Sequence, residues 1–88
     1  MTCNGWTNYQ TWNVSLWFGE LYEELALDYP NGLTGELLQT YTVEMLEESG
    51  QLPETGLAAD VMNDFLRSVD WDDLASHYTV EEEVEEDA

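Results

Sequence analysis

The chain has 88 residues, of which 20 are aspartate or glutamate, one is arginine and none is lysine, so its formal net charge at pH 7 is -19. A chain of this length forms one small domain that buries only about 60% of the surface it exposes when unfolded. The charge excludes direct binding to nucleic acid or to an anionic membrane, because both require basic side chains against phosphate groups. Hydrophobic residues make up 43% of the chain, which is enough for a packed core.

The N-terminal sequence MTCNGWTNYQ lacks the basic residues and the apolar run of a signal peptide. No apolar run reaches the roughly 18 residues that are needed to span a bilayer. Cys3 is the only cysteine, so no internal disulfide can form, and a reducing compartment suits the chain best. We therefore expect a cytoplasmic protein.

The first predicted helix covers about residues 9–28. Asn8 is its expected N-cap. Gly19 interrupts the helical pattern, so we expect either one bent helix or two helices that meet at this glycine. The aromatic side chains in YQTWNVSLWF are most simply the bulky core of a highly charged chain, with Asn13 tying helices together. The apolar residues that recur at spacings of three and four are Trp12, Leu16, Trp17, Leu21 and Leu25.

Three shorter helices are predicted to follow, separated by loops that contain glycine and proline. The loop YPNGLTG at 29–35 leads through a Thr34 cap into a helix that ends at Gly50. Pro53 precedes a third helix, and Asp70 caps a short last helix over 71–78. The apolar residues at helical spacing are Leu37, Leu38, Tyr41, Met45 and Leu46 in the second helix, and Leu57, Val61, Met62, Phe65, Leu66 and Val69 in the third.

The composition changes abruptly after Thr79, where six of the last eight residues are acidic. Such a segment is typical of a solvated tail. The sequence shows no internal repeat and no alternating strand pattern of useful length. We therefore predict an all-α fold, a small single-domain bundle of about four short helices over residues 1–78, followed by an acidic disordered C-terminal tail over 79–88.

Two segments of the chain resemble a known family. NYQTWNVSLW at 8–17 and VDWDDLASHY at 69–78 are similar to the NYETWNVALW opening and the V(N/D)WxEIAxH ending of a family of small, mostly uncharacterised proteins from bacteriophages, plasmids and other mobile elements. The two segments cover about a quarter of the chain. The resemblance implies a helical mobile-element protein, which would act in the host cell cytoplasm if a phage encodes it. It implies no catalytic residues.

Enzyme and metal sites find little support in the sequence. His77 is the only histidine, and Asp73 and Glu81 stand four residues before and after it, but a helix end near Thr79 separates these three possible metal ligands. A calcium loop beginning at Asp70 lacks an oxygen ligand and the glycine at the required positions. The chain contains no phosphate-binding loop, no catalytic triad and no basic group to stabilise an oxyanion. We expect no enzyme, no bound metal and no cofactor.

The acidic residues recur at spacings of three and four, which on a helix places like charges about 6 Å apart in short rows. Each such pair weakens an isolated helix by roughly 0.2–0.5 kcal/mol. Three explanations stay open: an ordinary solvated surface, adaptation to high salt, and mimicry of the DNA backbone. The residues predicted to bind a partner are Glu20, Glu23, Glu24, Asp28, Glu44, Glu47, Glu48, Asp60 and Asp64, with Asp72 and Asp73 as a further patch.

Glutamate outnumbers aspartate by 13 to 7, and the acids gather in helical rows as well as in the tail. Together with the mobile-element resemblance, this favours a DNA mimic that sterically inhibits a basic DNA-binding defence protein of the host, such as a CRISPR effector or a restriction enzyme. One alternative is a small protein-protein interaction module with Trp6, Tyr9 and Trp12 as exposed anchors. Another is a salt-adapted acidic protein of unknown function. The sequence leaves the target and the oligomeric state open.

Overall fold

The computed structural model describes residues 5–78, so Cys3 and the predicted tail over 79–88 lie outside the described residues. Four helices follow one another, α1 (Tyr9–Leu27), α2 (Gly35–Glu48), α3 (Leu57–Arg67) and α4 (Trp71–Ser76). Residues 5–78 contain no β-strand. The prediction of an all-α bundle of four short helices is confirmed.

The predicted N-caps are confirmed by hydrogen bonds. The side chains of Asn8, Thr34 and Asp70 each accept a hydrogen bond from the backbone N–H three residues further on, at 2.9, 3.1 and 3.1 Å. Each bond satisfies one of the N–H groups that a helix start leaves without a partner. The helix α3 begins after Gly56, which has no side chain to form such a bond.

The first helix runs unbroken through Gly19, so of the two expected arrangements the structure has a single helix and not two. Tyr78 gives a reason for glycine at this position. A Cβ atom on Gly19 would lie 3.0 Å from Oη of Tyr78, which packs across this turn of α1. The glycine therefore makes room for a neighbouring ring and does not end the helix.

The buried side of α1 differs from the predicted one. Leu16 and Trp17 were expected in the core, but 58% and 74% of their surfaces are exposed. Each residue turns the helix by about 100°. When Val14 and Tyr22 face the core, the side chains of Leu16 and Trp17 therefore do not point into it. Apolar spacing alone could not choose between these two sides of the helix. The buried residues of α1 are Thr11, Val14, Tyr22 and Ala26.

The shortest helix, α4, lies at the centre of the domain. It packs most closely against α2 and also against α1, and its Leu74 and Ala75 are buried. Gly35, at the start of α2, is the point of closest approach. A Cβ atom on this buried glycine would collide with Oδ1 of Asp72 and lie 2.9 Å from the backbone N of Asp72 and the backbone C of Trp71. The absence of a side chain at Gly35 therefore allows α2 and α4 to touch.

A buried tyrosine joins α1 to α2. Tyr22 is fully buried, and its hydroxyl forms a hydrogen bond with the hydroxyl of Thr42, which is also fully buried. The rings of Phe18, Tyr41 and Tyr78 lie 5.9, 6.4 and 5.4 Å from the Tyr22 ring. Burial raises the pKa of Tyr22 far above its ordinary value, so the hydroxyl stays neutral. Both buried hydroxyls are thereby satisfied.

The third helix contributes less to the core than its apolar stripe predicted. Its residues Ala59 and Leu66 are buried, but Leu57 and Val61 are 81% and 58% exposed. Leu57 and Val61 belong to the apolar stripe but lie outside the core. The helix α3 approaches the other helices less closely than α4 does, so only one edge of its stripe reaches the core.

Candidate functional site

The two segments at 8–17 and 69–78 meet in a network of hydrogen bonds. Asn8 Nδ2 donates to the carbonyl oxygen of Ser68 at 2.8 Å. Thr11 is fully buried, and its hydroxyl donates to Asn8 Oδ1 at 2.7 Å and accepts from the backbone N–H of Asp70 at 2.8 Å. These bonds fix the start of α1 against the segment that enters α4.

Thr7 adds two aspartates to this network. Its backbone N–H donates to Oδ2 of Asp73 at 3.0 Å, and its hydroxyl lies 2.9 Å from Asp70 Oδ2 and 2.8 Å from Asp73 Oδ2. The hydroxyl has one proton, which the two carboxylates share. We call Thr7, Asn8, Thr11, Asp70 and Asp73 the polar clasp. In the clasp, the backbone N–H and the hydroxyl of Thr7 hold the negatively charged carboxylates of Asp70 and Asp73 close together.

The clasp changes the acidity of Asp70. The backbone N–H of Asp73, followed by the hydroxyl of Thr7, holds the pKa of the Asp70 carboxyl below its ordinary value of 3.8. Hydrogen bonds to the charged form lower a pKa in this way. The negative charge on Asp70 therefore contributes to the stability of the fold.

Asp70→Asn should make a pH-dependent difference to stability. Because the folded pKa is depressed, the contribution of the charged carboxylate is complete above the unfolded pKa near 3.8 and is lost as the pH falls through the folded pKa. We expect D70N to lower the free energy of unfolding at pH 6 by about 0.5 kcal/mol, the scale of charge effects at exposed sites. Denaturant unfolding from pH 6 to pH 2.5 would measure this.

The control for D70N is Asp72→Asn, which removes the same charge from an exposed neighbour. Both variants relieve the general repulsion equally, so the difference between them reports the hydrogen bonds of Asp70. That difference should shrink as the pH falls below 3.8. A difference that stays constant over the whole range would show that the charge of Asp70 has no special role.

Trp6 and His77 extend the clasp on its outer side. The rings of Trp6 and His77 stack with centroids 3.8 Å apart, and His77 Nε2 lies 3.3 Å from Asp73 Oδ1. This is the one ion pair between side chains of residues 5–78, formed when the imidazole is protonated. No group of three His, Cys, Asp or Glu side chains in the same range could hold a metal. Glu81, the third residue of the metal hypothesis, lies outside the described residues.

Asn13 does not connect helices as expected. Its Nδ2 lies 3.5 Å from Oη of Tyr9 within α1. Asn8 and Thr11 make the connection to the distant segment instead. Sequence reasoning identified Asn8 only as a cap and did not identify Thr11, because a buried threonine in an apolar helix carries no distinctive pattern.

All nine acidic residues predicted on the first three helices have exposed side chains. On α1 they differ in their surroundings. Glu20 and Glu24 follow Trp17 by three and seven residues, which places them on one face. Glu23 is turned toward Tyr78, whose pKa is raised first by burial and then by this nearby negative charge. Glu23, three residues from Glu20, therefore lies at the edge of the predicted row that borders Tyr78.

The outer face of α2 carries one more acid than predicted. Glu44, Glu47 and Glu48 are exposed, and so is Glu36. Glu36 and Glu47 are 11 residues apart, which is close to three helical turns, so they share a face about 16 Å long. Sequence reasoning missed Glu36 because it searched for acids three or four residues apart, and the residue four positions after Glu36 is Thr40. A search for spacings of 11 would have found it.

The remaining predicted acids differ in their surroundings. Asp60 and Asp64 lie one turn apart on α3, and both are exposed. Asp72 is exposed beside the start of α2. Asp73 is partly buried, with one oxygen bonded to Thr7 and the other beside His77, so it is held in the clasp. The structure thus places Asp72 and Asp73 in different environments, although the sequence grouped them as one patch.

An apolar groove of about 380 Å³ lies between α1, α2 and α3. Val14 and Leu46 line its floor, Trp17 forms the α1 side, and Met62 and Phe65 form the α3 side. The sequence did not reveal this groove, because the apolar stripes on α1 and α3 were expected to pack directly against the core.

Comparison with known proteins places the chain in a family. A model described as a family of unknown function, DUF7249, matches residues 1–87. No curated protein and no solved structure matches the chain. Within residues 5–78, no helix is both long enough and apolar enough to cross a membrane. The match covers nearly the whole chain, including the clasp, the groove and the acidic faces, so the chain belongs to the DUF7249 family.

Proposed function

We propose that this DUF7249 protein is a DNA mimic that occupies the DNA-binding surface of a basic host protein and inhibits it sterically. The target would be a defence protein such as a CRISPR effector or a restriction enzyme. The protein would be encoded by a phage or another mobile element, would act in the cytoplasm of the host, and would catalyse no reaction.

One observation carries this proposal. The nine acids predicted on α1, α2 and α3 are all exposed, and none of them forms an ion pair with another side chain of residues 5–78. The helices that carry them are fixed by a buried core and by the clasp. Unpaired negative charge on fixed helices gives fast electrostatic steering toward a basic groove.

An ordinary solvated surface explains these acids less well. Such a surface intersperses both signs of charge, whereas this chain has one arginine among its charged side chains. Adaptation to high salt accounts for the charge but predicts that the domain needs salt to fold. A cooperative unfolding transition in dilute buffer would count against that explanation.

The interaction module is a second candidate, with a different anchor from the one expected. Trp6 stacks on His77, and Trp12 is half-buried with its ring 5.6 Å from Tyr9. Trp17 is more exposed than Trp6, Tyr9 or Trp12, at 74%. The observation that favours an aromatic anchor therefore concerns Trp17.

Affinity capture from a bacterial host lysate at low salt tests the proposal. We expect the full-length protein to retain a basic DNA-binding protein, which duplex DNA or 0.5 M salt would release. The triple variant E44Q/E47Q/E48Q should retain it at least tenfold more weakly, because three charges leave one helical face.

The matched control is E81Q/E82Q/E83Q, which removes three charges from outside the described helices. It should weaken capture less than the α2 variant does. Retention of a neutral protein that neither DNA nor salt releases would contradict mimicry. Equal weakening by the two variants would show that total charge, and not the face of α2, determines binding.

A further inference from the structure

The apolar groove continues onto exposed side chains at both edges. Trp17 stands at the α1 edge with 74% of its surface exposed. Along α3, Leu57, Val61 and Phe65 follow one another at spacings of four, and Leu57 and Val61 are 81% and 58% exposed. Exposed apolar side chains that extend from a groove mark interaction sites. A volume of about 380 Å³ accommodates several apolar side chains.

Acidic residues lie beside this groove on its α1 side. On α1, Glu20 and Glu24 share the face of Trp17. On α3, Asp60 and Asp64 are exposed, but they line a second depression together with Val43 and Arg67 and do not border the groove. A ligand that entered the groove would therefore meet negative charge at the α1 edge.

We propose that the groove binds a basic amphipathic helix of the partner protein. Apolar side chains on one face of that helix would enter the groove, and lysine or arginine side chains beside them would meet Glu20 and Glu24 at its α1 edge. Helix-in-groove recognition uses anchors at spacings of three, four and seven residues. The inference rests on the proposed function for the basic character of the partner. It adds that the part of the partner bound in the groove is a helix.

Charge decides against two other occupants. A second copy of the chain would bring another formal charge of -19 against the acidic α1 edge. The segment 79–88 contributes only Val80 and Val84 as large apolar residues, and it carries six acids. Like charges repel at such short range, whereas a basic helix is attracted by the same edge.

Three synthetic helices of 18 residues provide the probes. The first has leucine at helical spacings of three and four and lysine at the other positions. The second replaces each leucine with alanine, which keeps the charge and the helix propensity but removes the bulky apolar face. The third replaces each lysine of the first with glutamate. Calorimetry gives the affinities, and NMR shifts on the full-length protein locate the site.

We expect the leucine-lysine helix to bind saturably, with shifts at Val14, Leu46, Met62 and Phe65. The alanine-lysine helix should bind at least tenfold more weakly, and the leucine-glutamate helix should not bind. Trp17→Ala should weaken the leucine-lysine helix at least tenfold, because aromatic anchors carry much of the energy of an interface. Tyr29→Ala, which truncates an exposed aromatic outside the groove, should leave it unchanged.

Equal affinity for the two lysine helices, or no effect of W17A, would overturn the groove assignment while leaving charge recognition intact. A dimer in dilute buffer in which the groove residues are buried would assign the groove to a second copy of the chain. If the V80D/V84D variant bound the peptide more tightly than the unchanged protein, residues 79–88 would be the occupant of the groove. If no basic helix binds and lysate capture also yields no DNA-binding protein, the proposed function itself fails.

Discussion

Gly35→Ala should destabilise the domain by about 2 kcal/mol, within the range measured for overpacked contacts. The added Cβ would lie 2.9 Å from backbone atoms of both Trp71 and Asp72, which cannot move aside without moving α4. Since α4 is the helix that α1 and α2 both pack against, the whole core would have to adjust. Denaturant or thermal unfolding measures this loss directly.

Glu36→Ala is the matched control for G35A, since it places the same residue at the next, exposed position. Alanine favours helix over glycine by up to about 1 kcal/mol, so a net loss in G35A reports the collision with α4. The control should change the free energy of unfolding by no more than about 0.5 kcal/mol. A G35A protein as stable as the control would show that α2 and α4 are further apart than described.

Thr11→Val should cost about 2 kcal/mol, although valine has nearly the same shape. Thr11 is fully buried, and its hydroxyl accepts the backbone N–H of Asp70 and donates to Asn8. Removing that hydroxyl leaves the partly buried N–H of Asp70 facing an apolar methyl group, and a donor that loses its partner away from water costs about 1–3 kcal/mol. For a domain of this size, each kcal/mol lowers the melting temperature by roughly 4–8 °C.

Thr40→Val gives the comparison for T11V. It makes the same substitution on the exposed face of α2, where groups near residue 40 can bond to water. T40V should stay within about 0.5 kcal/mol of the natural protein. If T11V is no more destabilising than T40V, the clasp does not connect the two ends of the domain as its geometry indicates.

Local signals in the sequence were sufficient for the helices and their starts. Asn8, Thr34 and Asp70 cap helices because their side chains bond to N–H groups three residues away, a relation that the sequence shows directly. The second helix buries Leu38 and Leu46 as its spacing predicted. These features depend on neighbours within one or two turns.

Features that depend on distant contacts were not predictable from spacing. Trp17 was assigned to the core, but the side of α1 that is buried depends on where α4 packs. Thr11 and Asp70 are 59 residues apart in the chain, so no local pattern marks their hydrogen bond. The groove has the same origin, because Val61 was expected to be covered and remains exposed on α3.

The clasp and the acidic faces have complementary roles in this account. Thr7, Asn8 and Thr11 join the beginning of α1 to the beginning of α4 through exposed and partly buried hydrogen bonds. Acids outside the clasp gain no such partners within the described part of the chain. Their repulsion is a cost to the fold, and a basic partner would remove it.

Competition for DNA tests the central claim most directly. With the DNA-binding protein obtained by lysate capture, the apparent Kd for duplex DNA is measured at rising concentrations of this protein. Mimicry predicts that the apparent Kd rises in proportion to the concentration added, with no ternary complex. A ternary complex in which the DNA affinity is unchanged would contradict the claim that the acidic faces occupy the DNA site.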